Sequence, residues 1–324
     1  MLTIAIPTYE RGAVLCDTIE QLLVLEPRAS EILIVDQTPA HPPEVAARLD
    51  AWERANAIRV IRLDAPSITR AMNTALREAK NERVLFLDDD IMPSPHLVAA
   101  HAAAYEWSAG VPPAEQAASR RQLHEDGAGT APAQPARTPA FHDAGVWAVV
   151  GQVLQPGETP AHFDDAELRR GFIRDLEFRF THDTACDVQN VMAGNLSVDR
   201  ARALQIGGFD ERYSAVAYRF ETDFALRIVA AGGRIRYEPA ASIRHLKAPG
   251  GGVRMWGDHR TSASPAHSMG DYYFARKHVP DFWRYVARRL RTNIVTRFHL
   301  RHPWTIPAKT VGELRGLVRA FRKS

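Results

Sequence analysis

Cysteine is scarce in this sequence, and long apolar runs are missing. The 324 residues include two cysteines, Cys16 and Cys186, in no CxxC pair and without zinc-type spacing to histidine. A disulfide framework is therefore not expected, and a reducing compartment fits better. No apolar run approaches the roughly 18 residues that a bilayer span needs, and no basic segment precedes the first apolar stretch as in a signal peptide. We therefore expect a cytoplasmic protein, at most peripheral to the inner face of the cell membrane.

Charge is nearly balanced overall but unevenly distributed. The net charge is +3, whereas residues 276–324 alone carry 13 Lys and Arg against Asp281 and Glu313, a balance of +11. The rest of the chain has a net charge of −8. A basic C-terminal region on an acidic body predicts an anionic partner, and we expect a membrane surface and no nucleic acid. The alternative, a solvated helical face without a partner, stays open.

Short apolar segments and helical patterns alternate through the first hundred residues. This β-α order predicts a mostly parallel sheet with helices on both faces, and therefore an α/β fold. Ligands bind beyond the carboxyl ends of the strands in such sheets, so polar residues at those ends are the first candidates for chemistry. The predicted elements are strands at Thr3–Ile6, Glu31–Asp36, Ile58–Leu63 and Arg83–Leu87, with helices at Ala13–Leu25, Pro43–Asn56 and Ser67–Lys80.

An Ala-, Pro- and Gly-rich stretch at about residues 108–141 breaks this pattern and predicts a long mobile loop. The stretch is either an insertion without a function of its own or a lid over an acceptor. We predict one domain over residues 1–250, followed over residues 251–324 by a flexible glycine loop and a basic helical region. The later predicted elements are strands at Val146–Val153, Ala193–Val198, Arg234–Tyr237 and Ser242–His245, and helices at Asp199–Gln205, Glu221–Ala231 and Phe282–Arg322, the last interrupted near Pro303 and Pro307.

Three consecutive acids, Asp88, Asp89 and Asp90, follow the apolar strand that ends at Leu87. Adjacent carboxylates repel one another and disfavour ionisation, and a divalent cation resolves that conflict. Hard oxygen ligands suit Mg²⁺ or Mn²⁺, and Mg²⁺ typically combines one or two carboxylates with substrate phosphates. The alternative is a polar strand end that faces water.

Two further candidates lie in the second half of the chain. His245 follows a predicted strand, and an imidazole there can complete a carboxylate metal site, although a lone histidine is more often structural. Glu221 and Asp223 lie in the first turn of a predicted helix, where the helix dipole favours acids. The functional interpretation makes Glu221 a general base, and Asp223 could pair with Arg227.

Two weaker patterns indicate phosphate binding. Arg70 and Asn73 lie near the start of a predicted helix, where backbone N–H groups and an arginine can hold a phosphate. Arg254 follows three consecutive glycines, Gly250 to Gly252, which suit a phosphate or a mobile flap. This second segment matches neither GxGxxG nor the P-loop pattern, and a plain flexible loop is the alternative.

Taken in order, eight segments between residues 2 and 250 resemble those of the family 2 glycosyltransferases. Each segment is common alone, but their order is specific. The segments are Ile4 to Arg11, Ile34 to Gln37, Ala71 to Asn73, Leu87 to Asp90, Gly194 to Ser197, Gly207 to Glu211, Glu221 to Asp223, and Pro239 with His245.

The resemblance implies a GT-A-type fold and an inverting, metal-dependent transfer from a UDP-, dTDP- or GDP-linked sugar to a saccharide or lipid-linked acceptor, in polysaccharide or glycolipid synthesis. It implies that Asp90 and His245 bind Mg²⁺ or Mn²⁺ and that Glu221 is the catalytic base. The segment from Pro7 to Arg11 and Asp36 would line the nucleoside pocket, and Gly194 and Asn195 the acceptor-side loop. The residues expected to bind the donor or line its site are Pro7, Thr8, Tyr9, Arg11, Asp36, Gln37, Arg70, Asn73, Asp88, Asp89, Gly194, Asn195 and Arg254.

Two other classes of protein share parts of this pattern. A nucleotidyltransferase of similar fold would need a basic, glycine-rich loop after the first strand, and Pro7 to Arg11 form no such loop. A non-catalytic nucleotide-sugar or carbohydrate-binding protein would not need three acids, His245 and Glu221 together. Release of pyrophosphate would favour the first class, and donor binding without turnover the second.

Overall fold

A computed structural model of the chain describes residues 1–106, 145–168, 178–248, 250–252 and 257–322. The loop predicted at about residues 108–141 and the predicted phosphate ligand Arg254 lie outside the described residues. Among the described residues, none of the helices combines the length and the apolar composition that crossing a bilayer requires.

Nine strands form a single sheet in the described part of the chain. They are β1 (Leu2–Thr8), β2 (Glu31–Asp36), β3 (Arg59–Arg62), β4 (Arg83–Leu87), β5 (Ile91–Pro93), β6 (Val146–Leu154), β7 (Cys186–Val188), β8 (Asn195–Asp199) and β9 (Arg234–His245). The order across the sheet is β3-β2-β1-β4-β8-β6-β9-β5, and β7 also pairs with β9. Six strands run in one direction, namely β1 to β4, β6 and β9.

Helices cover both faces of the sheet, as predicted. They are α1 (Ala13–Leu23), α2 (Pro43–Arg54), α3 (Ile68–Glu78), α4 (Leu97–Glu106), α5 (Asp165–Leu168), α6 (Arg200–Gln205), α7 (Phe220–Ala230), α8 (Met269–His278), α9 (Phe282–Ile294), α10 (Arg297–Arg301) and α11 (Ile306–Phe321). Side chains of β1 alternate between two core clusters, with Leu2, Ile4 and Ile6 in one and Ala5 in the other. The first cluster is covered by α1, α2 and α4, and the second by α3, α6, α7 and α8.

Two strands that were predicted separately are joined into one strand by a β-bulge. The strands expected at Arg234–Tyr237 and Ser242–His245 are one strand, β9, because Gly151 pairs with Glu238 while the next residue, Gln152, pairs with Ser242. The register jump accommodates the intervening residues without ending the strand.

The C-terminal region is helical, as expected, but it is not a separate layer. Tyr272 and Phe274 of α8 are fully buried in the same core cluster as Phe224 of α7. The chain breaks at a 3₁₀ turn, Pro303–Thr305, as predicted. The prediction of a second break at Pro307 was wrong, and α11 continues through this residue. A proline is tolerated in the first turn of a helix because the N–H that it lacks would have no partner within the helix.

Candidate active site

Two carboxylates and one imidazole converge where β4 ends. Ile91 of β5 pairs with His245 at the end of β9, and this pairing brings the imidazole beside the acids. His245 Nε2 lies 3.2 Å from Asp90 Oδ1 and 3.5 Å from Asp88 Oδ2. One potential ligand atom from each of the three side chains lies within 4.8 Å of the others. We call these three residues the acid–histidine cluster.

The donor set of this cluster fits a divalent cation. Carboxylate oxygens with one imidazole nitrogen suit Mn²⁺ and, with added water or phosphate oxygens, Mg²⁺. Asp90 is fully buried, and its Oδ2 accepts the Ala248 N–H at 2.8 Å. The Asp88 side chain remains 45% exposed, so it can reach a bound molecule. The three predicted residues are therefore brought together in one site.

Asp89 is not a member of the acid–histidine cluster, and Arg11 connects it to Asp90, with Arg11 Nη1 3.6 Å from Asp90 Oδ2. The Asp89 carboxylate accepts hydrogen bonds from Thr8 Oγ1 at 2.8 Å and from Arg11 Nε at 2.7 Å. Burial raises the pKa of Asp89 to about 7, although Arg11 acts against this rise. Thr8 and Arg11 thus both bind Asp89 and hold the ends of β1 and β4 together.

The glycine-rich segment lies over the end of β1. Gly252 N donates to the Tyr9 carbonyl at 3.0 Å, and Arg11 Nη1 donates to the Gly250 carbonyl at 2.6 Å. Gly251 has φ of +74°, and an added Cβ would lie 2.8 Å from the Tyr9 carbonyl oxygen. A glycine is needed here for both reasons. Pro7 and Tyr9 remain partly exposed beside this contact.

The residues at the end of β2 are buried and already hydrogen-bonded. Asp36 Oδ2 lies 2.7 Å from His41 Nε2, and Asp36 Oδ1 accepts the Thr38 N–H at 2.9 Å. Gln37 Oε1 accepts the Ser67 N–H at 2.6 Å, which ties β2 to the start of α3. His41 was missed by the sequence analysis, since nothing in its local pattern points to Asp36.

Arg70 and Asn73 do not join the acid–histidine cluster through any contact in the described residues. Arg70 Nη2 donates to Asp64 Oδ1 at 2.7 Å. Asn73 donates to the Phe209 carbonyl and to Glu211 Oε1, both at 2.8 Å, and accepts the Phe209 N–H at 2.7 Å. The structure therefore gives Asn73 a role in holding the turn before Phe209, and its contacts lend no support to phosphate binding.

Glu221 is linked to the cluster through the loop that contains Ala193 and Gly194. It lies in the first turn of α7 and accepts a short hydrogen bond from the Ala193 backbone N–H. The next residue, Gly194, packs directly against the carboxylate of Asp88. Burial raises the pKa of Glu221 to about 7, and the nearby charge of Asp88 adds to this rise. The site thus holds a partly buried carboxylate beside the cluster but outside it.

Asn195, which was expected to line the donor site, is hydrogen-bonded within the protein and away from the acid–histidine cluster. Its side chain is fully buried. It donates to the Ala241 carbonyl at 2.7 Å, and its oxygen lies 2.8 Å from His101 Nε2. Asn195 therefore joins the strands behind the acids, whereas the preceding Gly194 does line the site.

Asp223 is a structural residue. It is fully buried and contacts Arg227 Nε at 2.9 Å, as predicted, together with His278 Nε2 at 2.8 Å and Lys277 Nζ at 2.5 Å. Burial would raise the pKa of Asp223, but the hydrogen bond with His278 and the charges of Arg227 and Lys277 lower it to about 2. Its role is to fasten α7 to α8.

Comparison with known proteins identifies the first part of the chain. Residues 3–117 match the family model described as glycosyl transferase family 2. The chain carries a family 2 glycosyltransferase segment. The chain is also 33% identical over 111 residues to the N-acetylglucosaminyl-diphospho-decaprenol L-rhamnosyltransferase of Mycobacterium tuberculosis, and the match covers 32% of each chain. The match thus spans about a third of the length of that curated relative.

Solved structures extend the likeness of fold beyond the family 2 segment. A crystal structure of GalNAc-T7 with UDP, GalNAc and Mn²⁺ has a TM-score of 0.53 at 12% identity, covering 87% of this chain and 52% of that one. The mannosyltransferase PcManGT from Pyrobaculum calidifontis, in complex with GDP-Man and Mn²⁺, has a TM-score of 0.52 at 15% identity, covering 96% of this chain and 73% of that one. The predicted GT-A-type fold is confirmed.

Proposed function

We propose that this protein transfers a sugar from a nucleotide diphospho-sugar to an acceptor hydroxyl, with inversion at the anomeric carbon. The observation that carries this proposal is the position of Glu221 beside, but outside, the acid–histidine cluster. An inverting transfer needs its base on the acceptor side, opposite the departing diphosphate. The contacts of Ala193 with Glu221 and of Gly194 with Asp88 support an acceptor position on the Glu221 side of this loop.

The residues have distinct roles in the proposed reaction. Asp90 and His245 would hold Mg²⁺ or Mn²⁺, and such an ion would supply positive charge to stabilise the departing diphosphate. Asp88, which is half-exposed, orients the ribose or the sugar. Glu221 takes the proton from the acceptor hydroxyl, whose oxygen bonds to the anomeric carbon as the bond to the diphosphate breaks.

The donor and acceptor are proposed by class. The structural neighbours are described with UDP or with GDP-Man, and the curated relative is named for L-rhamnosyl transfer to a lipid-linked N-acetylglucosaminyl diphosphate. We therefore propose a UDP-, dTDP- or GDP-linked donor and a lipid-linked saccharide acceptor on the cytoplasmic side of a membrane.

A binding screen followed by a turnover assay tests the proposal. Nucleotide diphospho-sugars are added with and without Mn²⁺, and a ligand that binds the folded state raises the midpoint of thermal unfolding. We expect a Mn²⁺-dependent shift with one class of nucleotide, and slow release of nucleoside diphosphate from that donor. Pyrophosphate release from a nucleoside triphosphate and a sugar phosphate would instead identify a nucleotidyltransferase. A shift without any turnover, with lipid-linked saccharides present, would identify a binding protein.

A further inference from the structure

The last helix, α11, has an unusual distribution of side chains. Its buried residues are small or charged, whereas large apolar residues point outward. The residues buried against the protein are Lys309, Gly312, Glu313, Gly316 and Ala320. The outward apolar residues and their exposed fractions are Val311 at 39%, Leu314 at 49%, Val318 at 53% and Phe321 at 44%. A helix whose outer face contacts only solvent typically buries its large apolar residues and exposes its charged ones.

The outward apolar residues form one continuous stripe. Val311, Leu314, Val318 and Phe321 are spaced by three and four residues and therefore lie on one face of the helix. Trp304, seven residues before Val311 and 71% exposed, lies in the 3₁₀ turn that leads into the stripe. At 1.5 Å per residue the helix is about 24 Å long. We call these five residues the α11 apolar face.

A second exposed aromatic residue widens this surface at its C-terminal end. Trp283 of α9 is 65% exposed and stacks on Phe321, with ring centroids 6.4 Å apart. Trp and Phe side chains are typical of helices that lie in the interfacial region of a bilayer. An apolar surface of this extent on a folded protein marks an interaction site.

The charges around the α11 apolar face are almost all positive. Glu313, the acid within α11, is buried and paired with Arg289 Nε at 3.0 Å and Lys309 Nζ at 2.7 Å. Asp281 is the other acid between residues 276 and 322. The exposed arginines of this region are Arg284, Arg288, Arg291, Arg297, Arg301, Arg315, Arg319 and Arg322.

We infer that the α11 apolar face docks onto an anionic lipid surface, with its large apolar side chains in the interfacial region and the surrounding arginines on lipid phosphates. A second copy of the chain fits less well. The residues that flank the face include Arg315, Arg319 and Arg322, and two such faces would bring arginines together without an exposed acid on the helix to offset them. An anionic membrane complements both the apolar and the charged parts of the surface.

The inference does not depend on the transfer chemistry. Docking is measured without donor, metal or acceptor, so its failure leaves the proposed function standing, and loss of transfer activity leaves docking standing. If both hold, the surface explains how a protein without a described membrane span reaches a lipid-linked acceptor.

Sedimentation of the full chain with vesicles tests the inference. The probes are vesicles of phosphatidylcholine alone and vesicles with roughly a third of phosphatidylglycerol. We expect binding to the second kind that weakens as salt rises, because salt screens exposed charges. The Leu314→Ser/Val318→Ser variant should bind roughly tenfold more weakly. A matched control is Val24→Ser/Leu204→Ser, which removes two exposed apolar residues elsewhere, 72% and 37% exposed.

A variant with fewer positive charges beside the α11 apolar face tests the inference independently. Each basic residue near an anionic surface contributes roughly a fivefold increase in binding, so Arg315→Gln/Arg319→Gln/Arg322→Gln should lower the affinity by roughly a hundredfold. The matched control neutralises three exposed arginines elsewhere, Arg28, Arg54 and Arg62.

Three results would overturn the inference. The first is an α11 variant that binds vesicles as tightly as its control variant does, while its thermal unfolding midpoint equals that of the wild type. The second is equal binding to the two kinds of vesicle. The third, from light scattering, is a wild-type dimer that Leu314→Ser/Val318→Ser converts to a monomer, because the occupant of the face would then be a second copy.

Discussion

Gly194 lies against the carboxylate of Asp88, so closely that a Cβ added to Gly194 would lie 2.2 Å from Asp88 Oδ2. The antiparallel pairing of β4 with β8 creates this contact, since Leu87 pairs with Asn195 and Asp88 N donates to the Gly194 carbonyl at 3.3 Å. The adjacent Ala193 N–H donates to Glu221. One short loop therefore sets the positions of both the half-exposed acid and the proposed base.

Gly194→Ala should lower transfer activity while the protein stays folded. The added methyl group displaces the Asp88 carboxylate, and a misplacement of about 1 Å near the reacting atoms costs roughly a hundredfold in rate. The measurement is turnover of the donor identified in the binding screen. Gly250→Ala is the matched control, because an added Cβ there meets no atom within 4 Å. Equal turnover in the two variants would contradict the assigned role of the contact.

Glu221→Gln should abolish most turnover and leave donor binding intact. The amide cannot accept the proton from the acceptor hydroxyl, and loss of a general base typically costs about 10²–10⁴-fold in rate. The amide oxygen can still accept the Ala193 N–H, so the loop should keep its shape. Turnover is compared with the donor-induced thermal shift of the same variant. A variant with wild-type turnover would remove Glu221 from the base role.

The rate of transfer should rise with pH through about 7. Burial raises the pKa of Glu221 to about 7, so the carboxylate that accepts a proton is the minor form below that pH and the major form above it. The measurement is turnover at saturating donor from pH 5.5 to 8.5. The residual activity of Glu221→Gln should lack this rise. A rise of the same size in Glu221→Gln would assign it to another group.

Removal of the metal site should remove the nucleotide-sugar thermal shift. At a ligand concentration of 100 times Kd, binding stabilises the folded state by about 2.7 kcal/mol. We expect His245→Ala, or a chelator added to the wild type, to abolish this shift. His96→Ala replaces an exposed histidine elsewhere and should behave as wild type. A donor shift that survives in His245→Ala would show that the imidazole is not needed to hold the diphosphate.

Arg289→Leu should destabilise the C-terminal helices strongly. Arg289 contacts Asp271 Oδ2 and lies 3.0 Å from Glu313 Oε2, and both acids are buried. Removing one partner from a buried ion pair costs about 3–5 kcal/mol. We expect a loss near the lower end, because Arg219 still pairs with Asp271 and Lys309 with Glu313. Chemical denaturation measures the change, and Arg291→Leu on the exposed side of α9 is the control. A loss below about 1 kcal/mol would mean that Arg219 and Lys309 by themselves compensate these acids.

The sequence by itself determined the order of strands and helices, the acid triplet at the end of β4 and the candidate base Glu221. These features are local: apolar periodicity specifies each element, and parallel strands place their carboxyl ends at one edge. The same reasoning identified His245 as a candidate but could not place it beside Asp90.

Only the tertiary structure decided which polar residues meet. The pairing of β5 with β9 brings His245 to Asp90, and the pairing of β4 with β8 sets Gly194 against Asp88 while it buries Asn195. Such contacts join residues about a hundred or more positions apart, and no local pattern encodes them. The outward apolar face of α11 was likewise hidden, because a helical repeat of apolar residues is the same whether it faces a core or the solvent.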